Sequence, residues 1–367
     1  MAAQVPDSWQ QLFLGSNPST PGTAIPVRII HRRGEPFLIL PADSHLALSG
    51  LSLYPAQTSA ARLAKLLLSL TLKLKLLTPG EIISLPIDQG SPFVTFLAQT
   101  AGTGSLLRFA LLAGNPHAPG RRFVLLLFNG NNEPAAVVKA GLGESATGLI
   151  KQEISFLSSV PHDTYGVPRL GAVFQSERHH AFALDFLTGH SPQPDDLTGL
   201  ESLLARWIDS TRQVRISELP AWHRLAATAT SSNLIDNQLQ NALCCPVIYH
   251  GDLAPWNIKV ANGLWQVLDW ERGELAGIPG WDWFHYIIQS AVLIQREPVN
   301  ALAARVENLL TSGNFQRYAA KAQIVGIERQ LLLAYLNYSI QVLKQTEGLS
   351  RIQSLLAHLA QKWRAKI

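Results

Sequence analysis

Apolar and polar positions change character twice along these 367 residues, and the changes divide the chain. Through residue 25 Pro, Ser and Thr dominate without a sustained period, which predicts a loosely ordered lead-in. Val27–Ile30 and Pro36–Leu40 are short apolar runs across a turn at Arg33–Gly34, predicting two strands. Ala60–Leu77 carries leucines at helical spacing, and Glu81–Ser84 and Val94–Leu97 predict further strands. A clearer rhythm begins at Leu106, where LLRFALLAG, RRFVLLLF and AAVVKAG are joined by the turns NPHAPG and NGNNEP. Three strands with two short turns predict an antiparallel meander. After Gly143, Leu149, Ile150, Ile154, Phe156 and Leu157 recur at helical spacing with Glu153 among them. Gly171–Gln175 and His180–Phe186 complete five strands with one inserted helix.

From Leu197 onward the period is helical. Leu197–Arg215, Trp222–Ala242, Trp281–Gln295, Val299–Thr311, Gln323–Gln345 and Arg351–Trp363 are the expected helices. Val247–Tyr249 and Val267–Leu268 are short expected strands between them. The expected class is therefore α+β, with a sheet-rich lobe over 105–187 and a helical lobe over 188–367. The two meet near Leu187–Gly189, and a two-lobed layout offers a natural cleft. Residues 1–104 form an N-terminal extension with no chemical motif, and no internal repeat occurs.

Composition narrows the class. Hydrophobic residues reach 47% and charged residues only 15%, which excludes a disordered chain. The net charge of +4 is spread without a Lys/Arg run, so nucleic acid is not an expected partner. Cys244 and Cys245 are adjacent and would strain a mutual disulfide, which favours a reducing compartment. The start, MAAQVPDSWQQ, has neither the basic opening nor the apolar core of a signal peptide. Leu66–Leu77, broken by Lys73 and Lys75, and Trp283–Ile294 both fall short of the roughly 20 apolar residues a membrane span needs. A soluble cytoplasmic protein is expected. The helix over 61–77, with Arg62, Lys65, Lys73 and Lys75, allows peripheral membrane contact, but a packed helix is the preferred reading.

The candidate chemistry lies between Tyr249 and Glu271, YHGDLAPWNI followed by LWQVLDWE. Asp252, Asn257 five residues on and Asp269 are the residue types that phosphoryl transfer needs to orient a hydroxyl and hold magnesium. The 17 residues from Asp252 to Asp269 suit a hairpin that returns the second carboxylate to the first. Each aspartate alone would more often cap a helix or close a turn. Lys139 sits in an apolar strand, where its ammonium needs an anionic partner or an edge open to water. Nucleotide phosphates and Glu153, 14 residues later, are the two available anions. His250 is expected to bond loop backbone, and Asp282 to brace the loop from a helix start. Trp256 is expected to pack. GLGESATG (Gly141–Gly148) follows the lysine strand and reads as a connection. No GxxxxGK[ST], zinc-binding His/Cys spacing or GxSxG occurs.

HGDLAPWNI with VLDWE resembles the aminoglycoside phosphotransferase and choline kinase-like branch of the protein-kinase-like fold. VVKAG with Glu153 is similar to that fold's lysine strand and paired helix, and ALDFLTG (Ala183–Gly189) to its hinge. The likeness runs from about Leu106 to Gln345. It implies a bilobal protein-kinase-like fold with a small antiparallel-sheet N-lobe, a larger helical C-lobe and an extra N-terminal segment. It implies ATP or GTP, with Asp252 as catalytic base, Asn257 and Asp269 on Mg2+, and Lys139 with Glu153 on phosphate. Asp185 and Leu187 would hold the adenine through their backbone. The chain departs from protein kinases at Gly251 and Ala254, where an arginine and a lysine are usual. Asp282 follows Asp269 by 13 positions, which leaves no long activation loop. Both departures favour a small-molecule hydroxyl acceptor (sugar, amino alcohol or aminoglycoside-like) over a protein. The loop Gly114–Gly120 is not GxGxxG, and Arg121 or Arg122 could assist there. A nucleotide-binding pseudokinase that regulates a partner is the alternative. Asp195, Asp196, Glu201, Glu271 and Glu274 could meet a cationic acceptor but are common surface residues.

Overall fold

The computed structural model describes residues 9–14, 23–54, 56, 59–76, 79–104, 107–114, 120–177, 179–228, 237–343 and 350–364. The chain forms two compact units, Met1–Ser158 with Pro168–Leu187, and Ser159–Val167 with Thr188–Ile367.

The first unit is an antiparallel sheet of eight strands. Its elements are β1 (Thr23–Arg32), β2 (Glu35–Pro41), α1 (Ser44–Gly50), α2 (Ser59–Lys73), β3 (Glu81–Ile87) and α3 (Pro92–Thr100). They continue as β4 (Phe109–Leu112), β5 (Arg122–Phe128), β6 (Pro134–Leu142), α4 (Glu144–Ser159), β7 (Val173–Gln175) and β8 (His179–Asp185). The strand order is β3-β1-β2-β4-β5-β6-β8-β7. Residues 23–87, set apart in the sequence reading as part of an extension, thus supply three strands of the same sheet. The join is β2 to β4, through Leu38↔Leu112 and Ile39↔Leu111.

Period-two alternation sends successive side chains to opposite faces. Val27, Ile29, Leu85, Phe109, Phe123, Leu125 and Val138 pack under Phe93, Phe96 and Leu97 of α3 and under Trp9, Leu12 and Phe13. Leu38, Leu40, Ala110, Leu126 and Phe128 pack under Leu46 of α1 and Leu68 and Leu72 of α2. The expected strand Val94–Leu97 is instead part of α3. Short apolar runs fit either period. Here Pro92 occupies the first helical turn after Ser91, where its fixed φ suits a helix, and Phe93, Phe96 and Leu97 form one buried stripe.

The second unit comprises α5 (Leu197–Leu204), β9 (Val214–Arg215), α6 (Pro220–Thr228), α7 (Asn237–Asn241), β10 (Leu243–Cys244), β11 (Val247–Tyr249), β12 (Ile258–Ala261), β13 (Leu264–Val267) and β14 (Glu274–Gly277). It ends in α8 (Trp281–Gln289), α9 (Val299–Thr311), α10 (Gly313–Ala322), α11 (Glu328–Tyr338) and α12 (Ser350–Arg364). The expected helix Leu197–Arg215 stops at Leu204, because Ile208 bridges to Val247 and Arg215 pairs with Leu243. The expected helix Trp222–Ala242 is α6, then residues 229–236 outside the described set, then α7. Gln323, expected to open a helix, ends α10 at φ 59, and α11 begins five residues later. α8 and α11 each run on into a π-helical segment, Ser290–Gln295 and Ser339–Leu343. Cys244 and Cys245 are free and buried.

Candidate active site

The second unit holds the loop Tyr249–Asn257 and the strand that returns to it. β12 and β13 pair as a hairpin, Ile258↔Val267 through Ala261↔Leu264. Its turn is Asn262–Gly263, with φ of 51° and 76°. A two-residue type I′ turn requires left-handed backbone at both positions, and Asn-Gly supplies it at least strain. The sequence reading missed this dipeptide signal. The ladder extends by Leu268 N donating to Asn257 O at 2.7 Å. Asn257 therefore lies beside the residue that precedes Asp269, as the predicted hairpin requires. Asp269 itself has φ 72, a conformation that non-glycine residues adopt at a cost and that recurs at functional sites.

Asp252 is gripped on both oxygens. Oδ1 accepts from His285 Nε2 at 3.1 Å, and Oδ2 from Asn257 Nδ2 at 3.2 Å. The same Asn257 nitrogen donates to Asp252 O at 2.9 Å. Burial would raise the Asp252 carboxyl, but the His285 bond and the charges of His285 and Arg272 outweigh it and hold it below the usual carboxylate range. The side chain keeps 32% exposure, so a carboxylate of fixed orientation stays open to solvent.

Two buried groups brace the loop from behind. Asp282, in the first turn of α8, accepts from His250 N at 2.8 Å and Gly251 N at 3.1 Å. His250 Nε2 donates to Leu268 O at 2.9 Å, and its Nδ1 accepts from Asp252 N at 3.1 Å. That pairing needs the neutral ring, and burial pushes His250 down to about 4. Gly251 has φ 80, and a Cβ there would lie 2.9 Å from Arg272 Cβ. The departure at Gly251 is thus a requirement of this turn. Trp256 is half-buried.

His285, Tyr335 and Arg272 escaped the sequence reading. His285 is fully buried, and its Nδ1 lies within hydrogen-bond distance, 3.0 Å, of the Tyr335 hydroxyl. One ring nitrogen thus faces Asp252 and the other faces Tyr335, which fixes the imidazole between them. These partners lie 33 and 50 residues from His285, a separation that no local spacing reveals.

In the first unit, Lys139 Nζ lies 2.6 and 2.8 Å from the two Glu153 oxygens. Val138 and Ala140 enter the core below β6, while Lys139 shares the opposite face with Val137. Of the two anions expected for Lys139, Glu153 is therefore the one in contact. Asp185 ends β8 opposite Ala136 and is exposed, and Leu187 closes the unit half-buried. Residues 115–119 of the Gly114–Gly120 loop lie outside the described set. Arg121 Nε donates to Ala113 O at 2.5 Å. Among the proposed acceptor contacts, Glu201 pairs with Arg317, Glu274 with Arg224, and Asp196 caps α5.

Asn257 and Asp269 offer oxygen donors, the set a hard divalent cation takes. With its nitrogen turned to Asp252, the Asn257 amide directs its carbonyl oxygen away from that carboxylate, which fits the role. Among the described residues no group of three or more His, Cys, Asp or Glu side chains gathers to hold a metal.

Neither a protein-family profile nor a curated protein matches the sequence. Solved structures do align. A thermostable mutant of an aminoglycoside phosphotransferase, solved as a ternary complex with ADP and hygromycin B, shows 13% identity over 73% of this chain and 97% of that one, at a TM-score of 0.42. A putative fructosamine-3-kinase from Haemophilus somnus shows 14% identity over 72% and 96%, at 0.40. A phosphotransferase solved as a ternary complex with streptomycin and ATP shows 13% over 72% and 96%, also at 0.40. Identities and scores this low assign neither family nor activity.

Proposed function

We propose that the chain is an ATP- or GTP-dependent phosphotransferase acting on the hydroxyl of a small molecule. The observation that carries this reading is the carboxylate of Asp252, held ionised, fixed on both oxygens and still reachable, beside a hairpin that joins Asn257 to the strand leading into Asp269. In the proposed step Asp252 accepts the acceptor's hydroxyl proton while the oxygen takes the γ-phosphoryl, and the nucleoside diphosphate leaves with the displaced charge. Asn257 and Asp269 would hold Mg2+, which when bound supplies charge neutralisation at the phosphate oxygens. Lys139, oriented by Glu153, is assigned to phosphate, and the backbone of Asp185 and Leu187 to the adenine. The neutral His250 and the Asp282 carboxylate keep the loop rigid, since a base must hold its aim to be effective.

The test is turnover of Mg-ATP against a panel of sugars, amino alcohols and aminoglycosides. Wild type should transfer phosphate to at least one class, Asp252→Asn should lose about 10²- to 10⁴-fold in kcat, and EDTA should abolish transfer. Nucleotide binding without transfer or hydrolysis, unchanged by Asp252→Asn, would support the pseudokinase reading instead.

A further inference from the structure

Helix α2 is apolar on two sides, and among the described residues only one is packed into a core. Leu68 and Leu72 pack into the sheet with Leu38, Leu40 and Leu126. On the other side Leu63, Leu66, Leu67, Leu70 and Leu74 are between 43% and 64% exposed. At about 100° per residue these five fall within an arc of about 100°, opposite Leu68 and Leu72, and run for about 17 Å. Leu74 belongs to the stripe because its N–H still bonds Leu70 O at 3.0 Å. The sequence reading preferred a packed helix, and its packed face is real. The stripe opposite is the feature that reading leaves unexplained.

The charges bordering the stripe identify its occupant. Arg62 and Lys73 flank one edge, Lys75 follows its end, and all three are exposed. From Ser44 to Gly80 the sequence contains no Asp or Glu. We propose that this face of α2 docks on an anionic lipid bilayer. A helix packed along a sheet lies flat, so its leucines can enter the headgroup and acyl boundary while the cations meet lipid phosphates. A second copy fits worse. Two such helices face to face would bring both sets of Arg62, Lys73 and Lys75 together with no carboxylate on either helix to offset them. The contact is peripheral: no helix among the described residues is long and apolar enough to cross a membrane. This inference is independent of the proposed phosphotransfer and uses none of its residues.

Flotation of the full chain tests it, with vesicles of phosphatidylcholine alone and with about 30% phosphatidylglycerol, at about 0.1 M salt. Binding should be at least about tenfold tighter to the anionic vesicles. Leu66→Gln/Leu70→Gln and Arg62→Glu/Lys73→Glu should each reduce it about tenfold or more, with unchanged melting and circular dichroism. Protein left at the bottom with both vesicles overturns the proposal. So does equal binding to both that the charge reversal leaves intact. A dimer by light scattering that Leu66→Gln/Leu70→Gln converts to monomer would assign the stripe to a second copy and likewise overturn it.

Discussion

Asp252 is the residue to which the proposed chemistry is assigned, and its orientation depends on a side chain far away in sequence. His285 donates to one carboxylate oxygen from a buried position that Tyr335 holds in turn. His285→Ala should lower kcat by roughly 10- to 100-fold while the KM for ATP moves less than about threefold, and His285→Gln should recover part of the loss. Steady-state kinetics on the three proteins would read this. A fall in KM affinity with kcat preserved would reassign His285 to binding. Two other buried groups behave oppositely toward acid. Burial holds His250 down to about 4 from 6.5, so between those values the unfolded chain binds a proton that the fold refuses. Acidification through that window removes stability, by at most roughly 3 kcal/mol. Asp282 is pushed up to about 7 from 3.8 by burial, so the fold binds a proton the unfolded chain releases, and acidification adds stability. The two effects offset each other between pH 6.5 and 4. Asp282→Asn leaves only the His250 effect, and its urea midpoint should fall more steeply than wild type between pH 6.5 and 4.5. Equal slopes would mean that Asp282 does not bind the extra proton in the fold.

At the scale of elements, close approach decides what a sequence pattern leaves open. β11 carries the chain into the Asp252 loop and pairs with β14, Val247↔Gly277 and Tyr249↔Glu274. A Cβ on Gly277 would sit 2.1 Å from Tyr249 Cβ. Gly277→Ala should therefore destabilise the second unit by roughly 1–3 kcal/mol, read as a lower thermal midpoint. An unchanged midpoint would show that β14 can shift without loss. Strands of the meander were legible because their apolar runs and turns are local: β4, β5 and β6 stand where the runs predict. Val94–Leu97 was not, since so short a run, three apolar residues and Thr95, satisfies both periods and the cap decides. The break after Leu204 was hidden too, because Trp207 Nε1 bonds Tyr165 O, 42 residues away.

For the whole molecule, the sheet of the first unit joins segments that the sequence seems to separate. Residues 23–87 look like a motif-free extension, yet β2 hydrogen-bonds β4, and Ile39 and Phe109 share one core. A chain starting at residue 105 would expose the edge of β4 and strip one sheet face of Trp9, Phe13, Phe93 and Leu97. Such a truncation should be insoluble or lack a cooperative melt, whereas a separable extension would leave a folded remainder with wild-type unfolding behaviour.

By itself the sequence determined the α+β class and the local strands, and it singled out Asp252, Asn257 and Asp269 as candidates, because these follow from short-range period and spacing. Tertiary structure alone decided that His285 steadies Asp252, that the first hundred residues complete the sheet, and which leucines of α2 meet water. Each of those depends on which distant surfaces pack together, and packing is a property of the folded chain's geometry that no window of neighbouring residues contains.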